Sequence, residues 1–208
     1  MKKEIDTQKD KSTEEKIKKA AEKIFLERGF SASRTRDIAD EAGINLALLN
    51  YYFRSKKNLY NIIMMEKLDV FFNIIIEELK DNAVDLNQKM SELINKYTDL
   101  LIKEPRLPLF IMSEIQQNPD FFTKRMNIKM KVREALGNKP IIYSKSQEDD
   151  LQLLLSLLGV TIFPFIIRHS IQGLFNMTTD QYNELLYKRR EMIPKLMNEL
   201  YNQLNADK

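Results

Sequence analysis

The residues best placed to do chemistry in this chain are arranged for contact rather than for catalysis. In the run RTRDIADEAGINLALLNYYF, residues 34–53, two short predicted helices meet at Gly43-Ile44-Asn45. That is the spacing of a helix-turn-helix. Leu49 and Phe53 are four apart and share one face of the second helix, so they can close a small core with Ile38 and Ala39. Ala47, Asn50 and Tyr51 lie about half a turn away and face outward. An outward amide of this kind can read a base edge in a DNA major groove. Lys56 and Lys57 then occupy the first turn of a further predicted helix, where the helix dipole disfavours cations by a few tenths of a kcal/mol or more. A phosphate lying against that helix end would resolve the conflict. Alternatively, both are solvated lysines.

Reaction chemistry has no comparable footing. No nucleophile–base pair, Gly-rich phosphate loop or carboxylate constellation stands out, so no enzymatic activity and no cofactor are expected. The chain has no Cys and one His, so no metal site is expected either. That His169 is a satisfied or solvent-facing histidine or, failing that, a polar contact to a ligand. Glu114 and Gln117 stand on an otherwise apolar stretch with Leu109, Phe110, Met112 and Ile115. They are either the orienting groups of a ligand pocket or plain surface. Met64, Met65, Phe71, Phe72, Met112, Phe121, Phe122, Met126 and Phe163 read as core ahead of pocket.

The elements that must position these residues are helices. The 208 residues are 43% hydrophobic and 30% charged, with 5 Gly and 6 Pro, which suits an all-α globular chain with material for two cores. Residues 1–11 read as a polar tail with no apolar stretch of the kind an export signal needs, and a cytoplasmic location is expected. Ser12 and Glu15 form a capping-box pattern opening a first helix that Gly29 stops. Ser33 is expected to cap a second helix ended by Gly43, Asn45 a third, and Ser55 a fourth running from Lys56 to about Lys80. Further helices are predicted over Leu86 to Lys103, Leu107 to Gln117, Asp120 to Leu136 and Gln147 to Phe175, the last bent at Pro164. Asn138 to Ser146 reads as a loop. Thr178 or Thr179 caps a final helix to about Asn205. Charge is uneven: residues 1–57 hold 14 Lys/Arg against 10 Asp/Glu, whereas residues 58–208 hold 19 against 20. The basic excess lies with the helix-turn-helix, as a polyanion partner would require.

The run TEEKIKKAAEKIFLERGFSASRTRDIADEAGINLALLNYYFRSKKNLY resembles the N-terminal pattern of the TetR family without a gap. The shared elements are Ala-Ala-x-x-x-Phe, the ERGF exit, RDIA, the AG-I/V turn, the aromatic-aromatic-Phe ending and the Ser-Lys that opens the fourth helix. The resemblance implies a DNA-binding domain over residues 12–57 and an effector-binding, dimerising domain over 58–208. It also implies Arg34, Arg36, Tyr52 and Lys56 near phosphates, and Asn45, Ala47, Leu48, Asn50 and Tyr51 toward bases or the sugar edge. Leu46 and Leu48 stand where the family commonly has polar or basic residues. They either touch a thymine methyl or pack internally.

Beyond residue 60 only helicity and length fit the family, which implies a repressor released from a palindromic double-stranded operator by a small apolar effector. The candidate effector contacts are Phe110, Glu114, Met126, Phe163 and His169. The alternative is a helical scaffold whose helix-turn-helix no longer binds DNA. A homodimer is expected through the last two helices, along the stripe that includes Leu185, Arg189, Ile193, Leu196 and Leu200. Leu151 to Ile167 is nearly uninterrupted apolar sequence at the lower edge of membrane-spanning length. With Gly159 and Pro164 inside it and no second such segment, it reads as a helix buried on nearly all sides, in a core or between subunits.

Overall fold

A computed structural model describes residues 2–80, 86–119 and 146–206. Among them are nine helices: α1 Lys2–Ala32, α2 Thr35–Ala42, α3 Leu46–Phe53, α4 Lys56–Lys80, α5 Leu86–Lys103, α6 Leu107–Gln117, α7 Gln147–Ile166, α8 Arg168–Phe175 and α9 Thr179–Ala206. The helix expected from Asp120 and most of the loop expected from Asn138 lie outside the described residues. The chain divides into two compact units, 1–70 and 71–208, with the division inside α4.

Helical sequence wins at the N-terminus. Residues 2–11, expected as a polar tail, are the first turns of α1, and Ser12 lies inside the helix rather than capping it. Nothing between Lys2 and Arg28 breaks a helix, since the segment contains neither Gly nor Pro and is rich in Lys and Glu. Gly29, at φ 71° and ψ 175°, ends the regular helical geometry. The N-cap of α2 is Arg34 and not Ser33, because the Ser33 hydroxyl is buried and donates to the Gly29 carbonyl at 2.5 Å. A serine consumed by the preceding turn cannot serve the next helix. Asn45 and Ser55 do cap, their side chains accepting from the backbone N–H of Leu48 at 2.8 Å and of Asn58 at 3.1 Å. Ile17, Ala21, Ile24 and Phe25 of α1, Ile38 and Ala39 of α2, Leu49 and Phe53 of α3, and Leu59, Tyr60 and Ile63 of α4 are all buried in this first unit. Tyr60 packs edge-on against Phe25 at 5.1 Å.

In the second unit Met90, Ile94, Leu153, Ile193 and Met197 form a buried cluster joining α5, α7 and α9. The long apolar stretch does not bend where expected. Pro164 stays inside α7, and the break falls at Ile167, with 59° between the helices on either side. Pro164 has no N–H to offer the carbonyl four residues back, which is that of Val160. Arg189 of α9 supplies the missing donor, its Nη2 reaching the Val160 oxygen at 2.8 Å. Tyr182 donates to the Pro164 carbonyl at 2.7 Å. The expectation of burial on nearly all sides also fails for the single protomer. Leu151, Leu155 and Phe163, spaced at four and eight residues along α7, are all more than half exposed. No single helix among the described residues is long and apolar enough to cross a membrane. Thr178 opens α9 with a reciprocal cap, accepting from the Gln181 N–H at 3.2 Å while its own N–H donates to the Gln181 side chain at 2.8 Å.

Candidate nucleic-acid interface

The turn between α2 and α3 is built from Gly43, which sits at φ 65° and ψ 36° in the left-handed region a glycine enters without a Cβ penalty. Its N–H and that of Ile44 return to the Asp40 and Ala39 carbonyls at 3.1 and 3.0 Å, ending α2 and fixing where α3 starts. With Leu49 and Phe53 turned into the core, α3 presents Ala47, Asn50 and Tyr51 to solvent, and Tyr51 is 77% exposed. Tyr51 and Tyr52 pack edge to face at 5.4 Å, and Tyr52 is half-buried. Asn45 is exposed, but its side-chain oxygen is committed to the cap. Leu46 and Leu48 are half-buried.

The cations of this unit fall into two groups. Lys23 pairs with Glu41 at 2.6 Å and Arg28 with Asp37 at 3.0 Å, tying α1 to α2. Lys18 pairs with Glu66 at 2.9 Å and Lys67 with Glu22 at 2.6 Å, tying α1 to α4. Hydrogen bonds from Lys18 to Glu15 and Glu66, and from Lys23 to Glu41, push both lysines above their ordinary pKa. Arg34, Arg36, Arg54 and Lys57 are instead exposed, with no carboxylate partner among the described residues. Lys57 has only aromatic company, its ammonium 5.2 Å from the Phe30 ring centre and 5.6 Å from that of Tyr60.

Lys56 belongs to neither group. It is half-buried, donates to the carbonyls of Phe30 and Ser33 at 2.8 Å each, and lies 4.2 Å from the Phe30 ring centre. Its position in the first turn of α4 is explained by those carbonyls without any phosphate. Two of its three N–H donors are taken, so the phosphate expected there meets a lysine already engaged. Arg54 was missed by sequence reasoning. It joins α3 to α4 at φ 61° and ψ −38°, and across it the Ser55 N–H reaches the Phe53 carbonyl at 2.6 Å. That is a three-residue γ-turn of the strained, positive-φ kind. The run of Arg54, Lys56 and Lys57 was the available signal.

The expected effector contacts are not gathered by the described residues. Phe110 and Glu114 are buried on α6, whereas Phe163 is 54% exposed on α7 and His169 is exposed on α8. Met126 lies outside the described residues. The expected dimer stripe is also split. Ile193 is consumed by the protomer's own core and Leu200 packs against it, while Arg189 serves Val160. Leu185 and Leu196 are exposed at 39% and 51%.

A two-helix reading head with a capped second helix, carried on a chain that continues as a helical body, defines a helix-turn-helix protein. Residues 17–62 match the family model described as bacterial regulatory proteins, tetR family. That match covers the helix-turn-helix and the start of α4. It is 30% identical over 131 residues to the HTH-type transcriptional repressor NicS of Pseudomonas putida, covering 62% of this chain and 61% of that one. With the fatty acid metabolism regulator protein of Bacillus subtilis it shares 25% over 117 residues, covering 56% and 57%. The chain thus spans about three fifths of the length of these two relatives. Among solved structures, the TetR family regulator PfmR of Thermus thermophilus superposes with a TM-score of 0.57 at 15% identity, covering 86% of this chain and 97% of that one. A TetR-like regulator from Rhodococcus sp. RHA1 gives 0.55 at 16%, covering 84% and 91%. These likenesses show the fold.

Proposed function

We propose that this chain is a sequence-specific DNA-binding repressor, dimeric on a palindromic operator and released by a small, mainly apolar effector. The observation that carries the reading is the outward face of α3, with Asn50 and Tyr51 free in solvent, in a unit that also exposes Arg34, Arg36, Arg54 and Lys57 without carboxylate partners among the described residues. Base edges are read from the α3 face, and phosphates are held by the unpaired cations. Residues 12–57 form the reading head and 58–208 the sensing and dimerising body. The exposed apolar residues Leu151, Leu155 and Phe163 of α7 and Leu185, Met192 and Leu196 of α9 support an isologous interface made by these two helices.

Fluorescence anisotropy of the full chain on its own upstream DNA at several salt concentrations tests the reading. Each phosphate neutralised adds about 0.9 to the log-log salt slope, so several contacts give a steep line. A flat line points to a scaffold, and equal affinity for unrelated DNA removes the sequence specificity. The effector couples to DNA through its differential affinity for two forms of the body, and about 1–3 kcal/mol would weaken operator binding some 5- to 150-fold.

A further inference from the structure

The surface of α3 carries no charge: from Asn45 to Phe53 there is no Lys, Arg, Asp or Glu. Arg or Lys paired with guanine is the commonest specific contact in a major groove, and Asp or Glu accepts from cytosine. The helix therefore lacks the side chains that best read a G·C pair. What it exposes instead is Ala47, Asn50 and Tyr51, spaced at three and four residues on one side. Leu46 and Leu48 are half-buried, and Leu49 and Phe53 are buried. Asn45 is exposed, but its Oδ1 accepts from the Leu48 N–H at 2.8 Å, which leaves only N–H donors for an outside partner. Such a donor finds an acceptor on guanine, adenine or thymine alike and tells none of them apart. Asn50 has no such commitment, since its side chain is exposed and makes no hydrogen bond among the described residues. Its amide keeps a donor and an acceptor side by side. Adenine presents the matching pair, the N6 donor beside the N7 acceptor, whereas guanine presents two acceptors, N7 and O6. The Ala47 methyl has one apolar counterpart in the groove, the thymine methyl. Ala47 and Asn50 lie about 4.5 Å apart along the helix axis, against a base-pair rise of about 3.4 Å.

We propose that α3 selects A·T pairs: Asn50 reads an adenine and Ala47 packs on a thymine methyl at the same or a neighbouring pair, so each operator half-site carries an A·T core. The proposal rests on the DNA-binding reading given above and adds which bases are read. Arg34, Arg36, Arg54 and Lys57 lie outside α3 and serve the phosphates.

Selection by the full chain from a random-sequence duplex library tests this, and the enriched half-site should contain adjacent A·T pairs. Fluorescence anisotropy on that duplex with modified bases then assigns each contact. Replacing the adenine by deazaadenine, which lacks N7, should weaken the wild type by at least about fivefold. Replacing the thymine by deoxyuridine, which lacks the methyl, should weaken it a few-fold. Asn50→Ala should lose the first sensitivity and Ala47→Gly the second, and Asn50→Arg should shift the preference at the adenine's position to guanine. The modified duplexes decide on the wild type even if a variant fails to fold. An enriched half-site without an A·T core, wild-type affinity indifferent to both analogues, or an adenine sensitivity that survives Asn50→Ala would overturn the assignment and leave DNA binding standing. A library with no enriched sequence would remove the specificity on which the assignment rests, and the assignment with it.

Discussion

At the scale of single residues, two neighbouring lysines and one arginine carry different duties despite like charge. Lys56 is a strut between the start of α4 and the carbonyls of Phe30 and Ser33. Lys56→Ala should therefore lower stability by about 1–3 kcal/mol in urea unfolding, because two carbonyls lose a charged donor. Lys57→Ala, lacking such bonds, should leave stability within about 0.5 kcal/mol and reduce the DNA salt slope by about one unit. Equal effects of the two would refute this division. Arg54 is held at positive φ, where a side chain is strained by about 1–2 kcal/mol and a glycine is not. Arg54→Gly is expected to raise the unfolding free energy by about 0.5–1 kcal/mol, the remainder being offset by the freer unfolded chain, and to weaken DNA binding. A variant that lost both stability and affinity would mean that the turn is held by the arginine side chain. Sequence alone placed both Lys56 and Lys57 at a helix start, but it could not see that the Phe30 and Ser33 carbonyls lie within reach of one ammonium and not the other.

At the scale of elements, legibility followed punctuation. The bounds of α4, α5 and α6 agree with those expected, since Ser55, Pro105 and Asn118-Pro119 mark them in the chain itself. The N-terminal turns of α1 and the cap of α2 were misplaced for the opposite reason: Ser12 and Ser33 have the composition of caps, but Ser12 lies in a segment without a helix breaker, and the Ser33 hydroxyl is taken by the Gly29 carbonyl. The break in the apolar stretch was misplaced by three residues because proline's missing donor was compensated from a distant helix. That compensation can be measured. Arg189→Met keeps the aliphatic stem and removes the donor to Val160, and should cost about 1–2 kcal/mol. In a Pro164→Ala background, where residue 164 regains an N–H for that same carbonyl, the cost should shrink to a fraction. An additive double-mutant cycle would show that the two sites are independent.

At the scale of the whole molecule, the residues expected to form one dimer stripe belong to two faces of α9. Ile193 is buried in the protomer, on the same side as the buried Tyr182, Leu186 and Met197, while Leu185 and Leu196 are exposed. A three-and-four repeat broad enough to cover both faces cannot say which apolar residue goes where. Substitution can. Ile193→Glu should unfold the second unit, seen as lost helical signal, whereas Leu196→Glu should leave the helix content intact and produce a monomer by light scattering at micromolar concentration. A dimeric Leu196→Glu variant would move the interface elsewhere.

The exposed row of Leu151, Leu155 and Phe163 has a further consequence, for dosage. A protomer that keeps such a surface in water is the species favoured by dilution, so its melting temperature should climb as the sample is concentrated. For the dimer proposed above, in a cell holding few copies, the dimer population would grow with the square of copy number rather than in proportion to it. Halving expression would then remove three quarters of the binding-competent form. The gene would act as a threshold device even before any effector arrives.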